Sequence, residues 1–188
     1  MGHIINQTAP NGLEKVLNVY SAQNILSVGY PYIIPKNILE KYKIAINIHP
    51  TLLPKYRGPT TGAYIIINNE KESGSTVHFM IEEVDAGDII LQKKVNLTPF
   101  ETIKSLQRKV YSIEPKLISE ALKLLNGKSY QKQDLTKGSI YPKRRKPLDS
   151  QIDSSKPLIE LFNEIRASDP DRFPAFFYYK GEKVNIKL

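Results

Sequence analysis

Cysteine is absent from the 188 residues of this sequence. A chain without thiols forms no disulfide, no thiolate metal site and no cysteine nucleophile, and a reducing cytoplasm suits it best. Long apolar runs are lacking as well, since stretches such as residues 65–67 fall far short of the ~18 residues that cross a bilayer. We therefore expect a cytoplasmic protein that makes no membrane contact and whose chemistry uses other side chains.

Acidic residues are outnumbered, because 19 Asp and Glu stand against 27 Lys and Arg and give a net charge of +8. The excess is concentrated in the polar segment 128–146, which ends in Lys143, Arg144, Arg145 and Lys146. A basic protein favours anionic partners, which include phosphorylated small molecules as well as nucleic acids. No aromatic stacking platform accompanies the basic run, so a solvated loop explains it better and nucleic acid is not an expected partner.

The first half of the sequence is typical of an α/β protein. Residues 24–30 and 43–49 are short, mostly apolar runs of the kind that form buried strands, and residues 37–42 between them can form a short helix. A strand, a helix and a strand in this order predict a parallel pair within an open sheet. Residues 50–59 contain three prolines and follow the second strand as a constrained loop.

The remaining apolar patterns divide the chain further. The predicted elements are a helix near residues 60–69, strands at 75–81 and 88–95 that can pair as a hairpin, a helix at 101–126 with a kink or break at Pro115, a helix at 158–168 and a hairpin at 173–188. We therefore predict three segments, which are a core domain at 1–127, a basic linker at 128–150 and a helix–β-hairpin appendage at 151–188.

A candidate site lies at the end of the second predicted strand, in the sequence Asn47-Ile48-His49. Side chains alternate along a strand, so Asn47 and His49 share one face while Ile48 points away. In open α/β sheets the carboxyl ends of strands line the ligand crevice. The same pair is also explained by capping of loop amides, and the spacing alone is a weak signal.

A second candidate is Asp85, in the turn-rich sequence Asp85-Ala86-Gly87-Asp88 between two predicted strands. A carboxylate there can orient or charge-pair an imidazole, although ordinary turn chemistry explains Asp and Gly equally well. His78 lies in an alternating strand, which favours a packed or half-exposed histidine over a catalytic one.

Three stretches together resemble the formyltransferases that use 10-formyltetrahydrofolate, a family that includes phosphoribosylglycinamide, methionyl-tRNA and nucleotide-sugar formyltransferases. They are residues 28–35 (Val-Gly-Tyr-Pro-Tyr-Ile-Ile-Pro), 47–58 (Asn-Ile-His-Pro-Thr-Leu-Leu-Pro-Lys-Tyr-Arg-Gly) and 84–90 (Val-Asp-Ala-Gly-Asp-Ile-Ile). The resemblance covers residues 24–126. It implies an open, mostly parallel, Rossmann-like sheet and 10-formyltetrahydrofolate as co-substrate.

The resemblance also implies roles for individual residues. Asn47, His49 and Asp85 take the positions of the family's catalytic residues. In those roles the Asn47 amide binds the oxyanion, His49 relays the proton, and Asp85 orients His49 and favours its charged form. No metal is required. The implied cofactor-binding residues are Tyr32, Ile34, Val84, Asp85 and Gly87, and the implied substrate-binding residues are Arg57 and Gly58.

The sequence departs from the family at both ends. Only 23 residues precede the strand at 24–30, so we expect the sheet to lack its usual first strands and to expose an edge. Only 42 residues follow the basic segment, too few for the tRNA-binding barrel of methionyl-tRNA formyltransferases. The end of the chain instead resembles the short tail of nucleotide-sugar N-formyltransferases, whose hairpin forms a dimer contact, so a homodimer is expected.

The expected function is therefore formyl transfer from 10-formyltetrahydrofolate to the amine of a nucleotide-linked amino-dideoxy sugar, in the biosynthesis of a surface glycan such as lipopolysaccharide. Two alternatives stay open. One is an enzyme like methionyl-tRNA formyltransferase, and the other is a truncated, inactive remnant that binds folate or nucleotide.

Overall fold

In the computed structural model, residues 10–127 and 130–188 are described. Residues 1–9 of the predicted core domain and residues 128–129 of the predicted linker lie outside this range. The helices are α1 (Pro10–Asn18), α2 (Lys36–Leu39), α3 (Thr61–Ile67), α4 (Ile103–Leu124) and α5 (Leu158–Ala167), with short 3-10 turns at Leu135–Lys137 and Pro147–Ser150. The strands are β1 (Asn24–Val28), β2 (Ile44–His49), β3 (Glu72–Phe79), β4 (Ile89–Asn96), β5 (Ala175–Tyr179) and β6 (Glu182–Ile186).

Strands β1 to β4 form one sheet in the order β1-β2-β3-β4. The predicted α/β sheet is confirmed, and β1 and β2 pair in parallel, but β2–β3 and β3–β4 are antiparallel. The sheet of the described residues is therefore mixed rather than mostly parallel. The reason is that α3 and residues 68–71 keep the chain at the end of the sheet where β2 finishes. Strand β3 enters from that end, so that its Thr76 lies opposite His49.

Helix α4 covers one face of this sheet and provides much of the core. Its buried Leu117 and Ala121 pack against Ile46 and Val77 from the two central strands. The helix runs without a break through Pro115, contrary to the interruption that the sequence allows. Pro115 is exposed, so water can bond the carbonyl that has lost its intrahelical donor. None of the described helices is long and apolar enough to cross a membrane.

Helix α5 is joined to the sheet domain by a buried arginine. The Arg166 guanidinium donates from Nη1 to the carbonyl of Glu101 at 2.7 Å and from Nη2 to the carbonyl of Ile66 at 3.3 Å. The predicted β5–β6 hairpin is present and packs with α5 around Leu161 and Ile165. The helix of the expected appendage thus shares core contacts with α3 and α4, and the division into core, linker and tail stays a prediction.

Candidate active site

A groove of about 990 Å³ opens beside the carboxyl ends of β1 and β2. Asn47, Ile48 and His49 all border it, but the side chain of Ile48 is 3% exposed and packs in the core against Leu117 of α4. The alternation predicted for this strand end is therefore confirmed. Asp85 reaches the same groove from the loop between β3 and β4, so the structure brings the three predicted catalytic residues together.

The imidazole of His49 is buried, and each of its nitrogens has a polar neighbour. Its Nε2 lies 2.8 Å from the backbone carbonyl of Tyr56, and its Nδ1 lies 3.5 Å from Oδ2 of Asp85. A carbonyl only accepts hydrogen bonds, so the neutral ring carries its proton on Nε2 and leaves a lone pair on Nδ1. Burial lowers the pKa of His49 below its ordinary value, although the charge of Asp85 and the Tyr56 carbonyl act in the opposite direction. Burial thus outweighs Asp85, and the ring is neutral near pH 7.

The carboxylate of Asp85 is fixed from several sides. The backbone N–H of Gly58 donates to its Oδ2 at 2.9 Å, and its Oδ1 lies 3.5 Å from Nε2 of His78. Burial alone raises the pKa of Asp85, but interactions with His78, His49 and the Gly58 N–H together lower it to about 2. Asp85 is therefore ionised at neutral pH while its side chain is only 12% exposed.

His78 belongs to this cluster, although its strand pattern favours a packing role. It is 2% exposed, and its Nε2 lies 3.2 Å from the side-chain nitrogen of Asn47. The antiparallel register sets Asn47 directly opposite His78, so the two side chains share one face. A histidine between Val77 and Phe79 in a buried strand can be recognised as part of the site only once that register is known.

Most, but not all, of the residues that the resemblance assigns to cofactor binding line the groove. Tyr32, Ile34 and Val84 line the groove together with Asp85. Gly87 lies outside the lining that the described residues form. A Cβ atom at Gly87 would meet the carbonyl oxygen of Phe79 at 2.0 Å, so this glycine allows the loop to pack closely on β3.

The two residues assigned to substrate binding also separate. Gly58 lines the groove and donates its N–H to Asp85. Arg57 is 8% exposed and lies outside the lining, because its Nη1 donates to Oε1 of Glu83 at 2.7 Å and points at the β3–β4 loop. In the structure Arg57 therefore contacts the loop that carries Asp85 rather than the open groove.

A basic strap, residues 143–146, lies along the groove. Arg144, Arg145 and Lys146 are among the lining residues. Nη2 of Arg144 donates to the carbonyl of Pro31 at 2.9 Å, and the backbone N–H of Arg145 donates to Oγ1 of Thr60 at 3.0 Å. The strap thus connects two walls of the groove and brings positive charge to it.

Among the described residues, no group of three or more His, Asp or Glu side chains is arranged to hold a metal ion.

The family model described as "Formyl transferase" matches residues 5–122 of this sequence. The chain belongs to this family. One relative is the methionyl-tRNA formyltransferase of Thermotoga neapolitana. It is 39% identical to this chain over 142 residues, which are 74% of this chain and 45% of that protein. The chain spans about half the length of the curated relatives it matches.

Solved structures of related proteins share the fold. A 4-N formyltransferase from Francisella tularensis has a TM-score of 0.81 at 28% identity, over 97% of this chain and 76% of that one. HypX from Aquifex aeolicus, in complex with tetrahydrofolic acid, has a TM-score of 0.81 at 22% identity, over 96% of this chain and 32% of that one. The formyltransferase family and fold predicted from the three sequence stretches are confirmed.

Proposed function

We propose that this site transfers a formyl group from 10-formyltetrahydrofolate to the amine of a nucleotide-linked amino-dideoxy sugar. The observation that carries the proposal is the convergence of Asn47, His49 and Asp85 on one groove. An amide donor, a neutral imidazole and an ionised carboxylate are the groups that acyl transfer between two nitrogens requires.

The contacts of Asn47, His49 and Asp85 assign each residue a role in formyl transfer. The acceptor amine attacks the formyl carbon, a new C–N bond forms, and the bond from that carbon to N10 of the folate breaks. Asn47 stabilises the oxyanion of the tetrahedral intermediate with a side-chain N–H. Nδ1 of His49 takes the proton from the amine and returns it to the leaving nitrogen. The nearby Asp85 stabilises the imidazolium that exists between these two steps.

A folate co-substrate suits the part of the groove nearest to β1. Tyr32 and Ile34, which follow β1, and Val84, which lies in the β3–β4 loop, line the groove beside the catalytic residues and offer aromatic and aliphatic surface to a flat ring system. HypX, whose structure contains tetrahydrofolic acid, has the same fold. Both observations support 10-formyltetrahydrofolate as the formyl donor.

A phosphorylated acceptor suits the basic strap. The side chains of Arg144, Arg145 and Lys146 line the groove and attract an anion such as a sugar diphosphate. A solved structure of a sugar N-formyltransferase from a Shewanella species is 29% identical to this chain, which supports an amino-sugar acceptor. We place the product in the biosynthesis of a surface glycan, because formylated amino sugars are glycan building blocks.

A methionyl-tRNA acceptor is the second candidate function. The Thermotoga neapolitana relative bears that name at 39% identity. The same basic strap can contact RNA phosphates, so its charge does not distinguish the two acceptors.

The deciding experiment is an end-point assay by mass spectrometry. The purified chain is incubated with 10-formyltetrahydrofolate and either a panel of amino-sugar nucleotides or aminoacylated initiator tRNA. A mass gain of one formyl group on a sugar supports the proposal, and formylation of the tRNA alone favours the second candidate. Folate binding without either product identifies an inactive remnant. The His49→Ala variant is the control, and we expect it to fold and to lose at least ~100-fold in turnover.

We also propose that the β5–β6 hairpin contacts a second copy of the chain. Phe176 is buried within the chain, but Tyr178 and Tyr179 are 54% and 61% exposed. Tyrosine is a residue type enriched at such interfaces. Sedimentation of the wild type as a dimer and of Tyr179→Glu as a monomer supports this contact, and a monomeric wild type contradicts it.

A further inference from the structure

Residues outside the catalytic set hold the β3–β4 loop, residues 80–88, from two sides. This loop carries Asp85, whose backbone has a φ of +53° in the left-handed region. A non-glycine residue in that region costs on the order of 1–3 kcal/mol and persists only where the surroundings enforce it. Within the loop itself, the N–H of Ala86 donates to the Glu83 carbonyl at a long 3.3 Å. The conformation of Asp85 therefore depends on contacts from elsewhere in the chain.

Gln133 provides the first of these contacts. Its side-chain nitrogen donates to the carbonyl of Asp85 at 3.0 Å and to the carbonyl of Gly87 at 2.6 Å. One amide thus bridges the residues on either side of Ala86. The side-chain oxygen of Gln133 is buried and has no hydrogen-bond partner in the described part of the chain. Gln133 consequently serves the loop through its N–H groups.

Arg57 provides the second contact, on the opposite flank of Asp85. Its Nη1 donates to Oε1 of Glu83 at 2.7 Å and approaches the carbonyl of Val84 at 3.5 Å. The next residue, Gly58, donates its N–H to the Asp85 carboxylate. Arg57 is itself fixed, because its backbone N–H donates to the Ser139 carbonyl at 2.9 Å. The guanidinium and the neighbouring amide thus act on the same short loop.

We infer that Gln133 and Arg57 are positioning residues that hold the Asp85 carboxylate beside His49. The kinetic consequence rests on the proposed function, whereas the effect on the His49 ring does not. Within the described part of the chain, Asp85 and His78 are the titratable groups whose charges act on His49. The Asp85 oxygen is 3.5 Å from Nδ1 of His49. A displacement of about 1 Å would weaken its charge interaction with the ring, and misplacement on this scale can cost about 10²-fold in rate.

The first test is Gln133→Met, which keeps the length of the side chain and removes its N–H donors. Gln131→Met is the matched control, since Gln131 is exposed and bonds Ile89 through its backbone. We expect kcat to fall about 10- to 100-fold in Gln133→Met, with little change in KM for the folate. The pKa of His49, followed by NMR of the ring, should fall further because the displaced Asp85 raises it less. The control should match the wild type in both measurements.

The second test compares Arg57→Lys with Arg57→Gln. The Arg57→Lys variant keeps a positive charge beside Glu83 and should retain most of the kcat. The Arg57→Gln variant has no such charge, so its kcat and the pKa of its His49 should both fall. This pair decides the question if Gln133→Met fails to fold. Folded variants with a wild-type kcat and a wild-type His49 titration overturn the inference. A wild-type chain without formyl transfer overturns the proposed function instead, and the His49 titration still tests the positioning.

Discussion

The side-chain nitrogen of Asn47 lies 3.2 Å from Nε2 of His78, its cross-strand neighbour. Nδ1 of His78 lies 2.8 Å from the carbonyl of Phe79, which can only accept, so Nδ1 carries a proton. In the tautomer with this single proton, Nε2 accepts one of the two amide hydrogens of Asn47. His78 therefore fixes the orientation of the Asn47 amide and leaves the second hydrogen for the groove.

Replacing Asn47 by alanine should remove the oxyanion donor. We expect kcat to fall about 10²- to 10³-fold, the effect of losing one such donor in acyl transfer, while the folate still binds. Steady-state kinetics with the accepted amine measure this loss. Asn37→Ala, at an exposed position on α2, serves as the control and should retain wild-type kinetics. A kcat within a few-fold of the wild type in Asn47→Ala would remove Asn47 from the mechanism.

Replacing His78 should have a smaller effect, because His78 acts on the substrate through Asn47. His78→Leu removes the acceptor that orients the amide, at a cost of about 0.5–1.5 kcal/mol in transition-state stabilisation. His78→Gln supplies a side-chain oxygen in place of Nε2 and should recover most of the lost kcat. The double variant His78→Leu with Asn47→Ala should lose less than the sum of the two single losses in transition-state free energy, because part of the effect of His78 passes through Asn47 and the remainder reflects its contact with Asp85. Additive losses would show that His78 works independently of Asn47.

The pH dependence of turnover should report on His49. The neutral ring is the base, so activity falls as His49 becomes protonated at acid pH. Burial lowers the pKa of His49 from its ordinary 6.5, which places the acid limb of the kcat profile below pH 6.5. The Asp85→Asn variant loses the charge that raises this pKa, so its acid limb should move to still lower pH while kcat itself decreases. An acid limb at the same pH in Asp85→Asn as in the wild type would show that Asp85 does not influence the pKa of His49.

Local sequence patterns were sufficient for part of this site. Strand alternation places Asn47 and His49 on one face, and this placement can be predicted from the three residues 47–49 alone. The role of His78 depends on which residue of β2 lies opposite it, and this register is set by the path of the chain through α3. A strand pattern by itself predicts only a packed histidine at this position. Long-range register is therefore the information that the local pattern lacks.

The same limit applies to Gln133 and Arg57. Gln133 lies in a polar segment without helical or strand periodicity, yet its amide contacts a loop 46 residues earlier in the chain. Arg57 lies within the 47–58 stretch and carries the charge expected of a phosphate ligand, but its guanidinium binds the acidic Glu83 instead. Neither partner can be identified from spacing, because each contact forms only after the loop and the later segment pack together.

The buried Arg166 should be more important for stability than its place in the predicted appendage suggests. Besides the carbonyls of Glu101 and Ile66, its guanidinium contacts the side-chain oxygens of Asn69 and Asn163, both within 2.9 Å. Arg166→Met keeps much of the apolar volume but removes the donor to the buried Glu101 carbonyl and the bonds to Ile66, Asn69 and Asn163, and an unsatisfied buried group costs about 1–3 kcal/mol. We therefore expect a loss of about 3 kcal/mol in the free energy of unfolding, measured by urea titration with circular dichroism. Arg108→Met, at an exposed position on α4, is the matched control and should change this free energy by no more than about 0.5 kcal/mol. If both variants unfold at the same urea concentration as the wild type, α5 is not fastened to the α3–α4 layer by Arg166, and apolar packing around Leu161 and Ile165 must hold it instead.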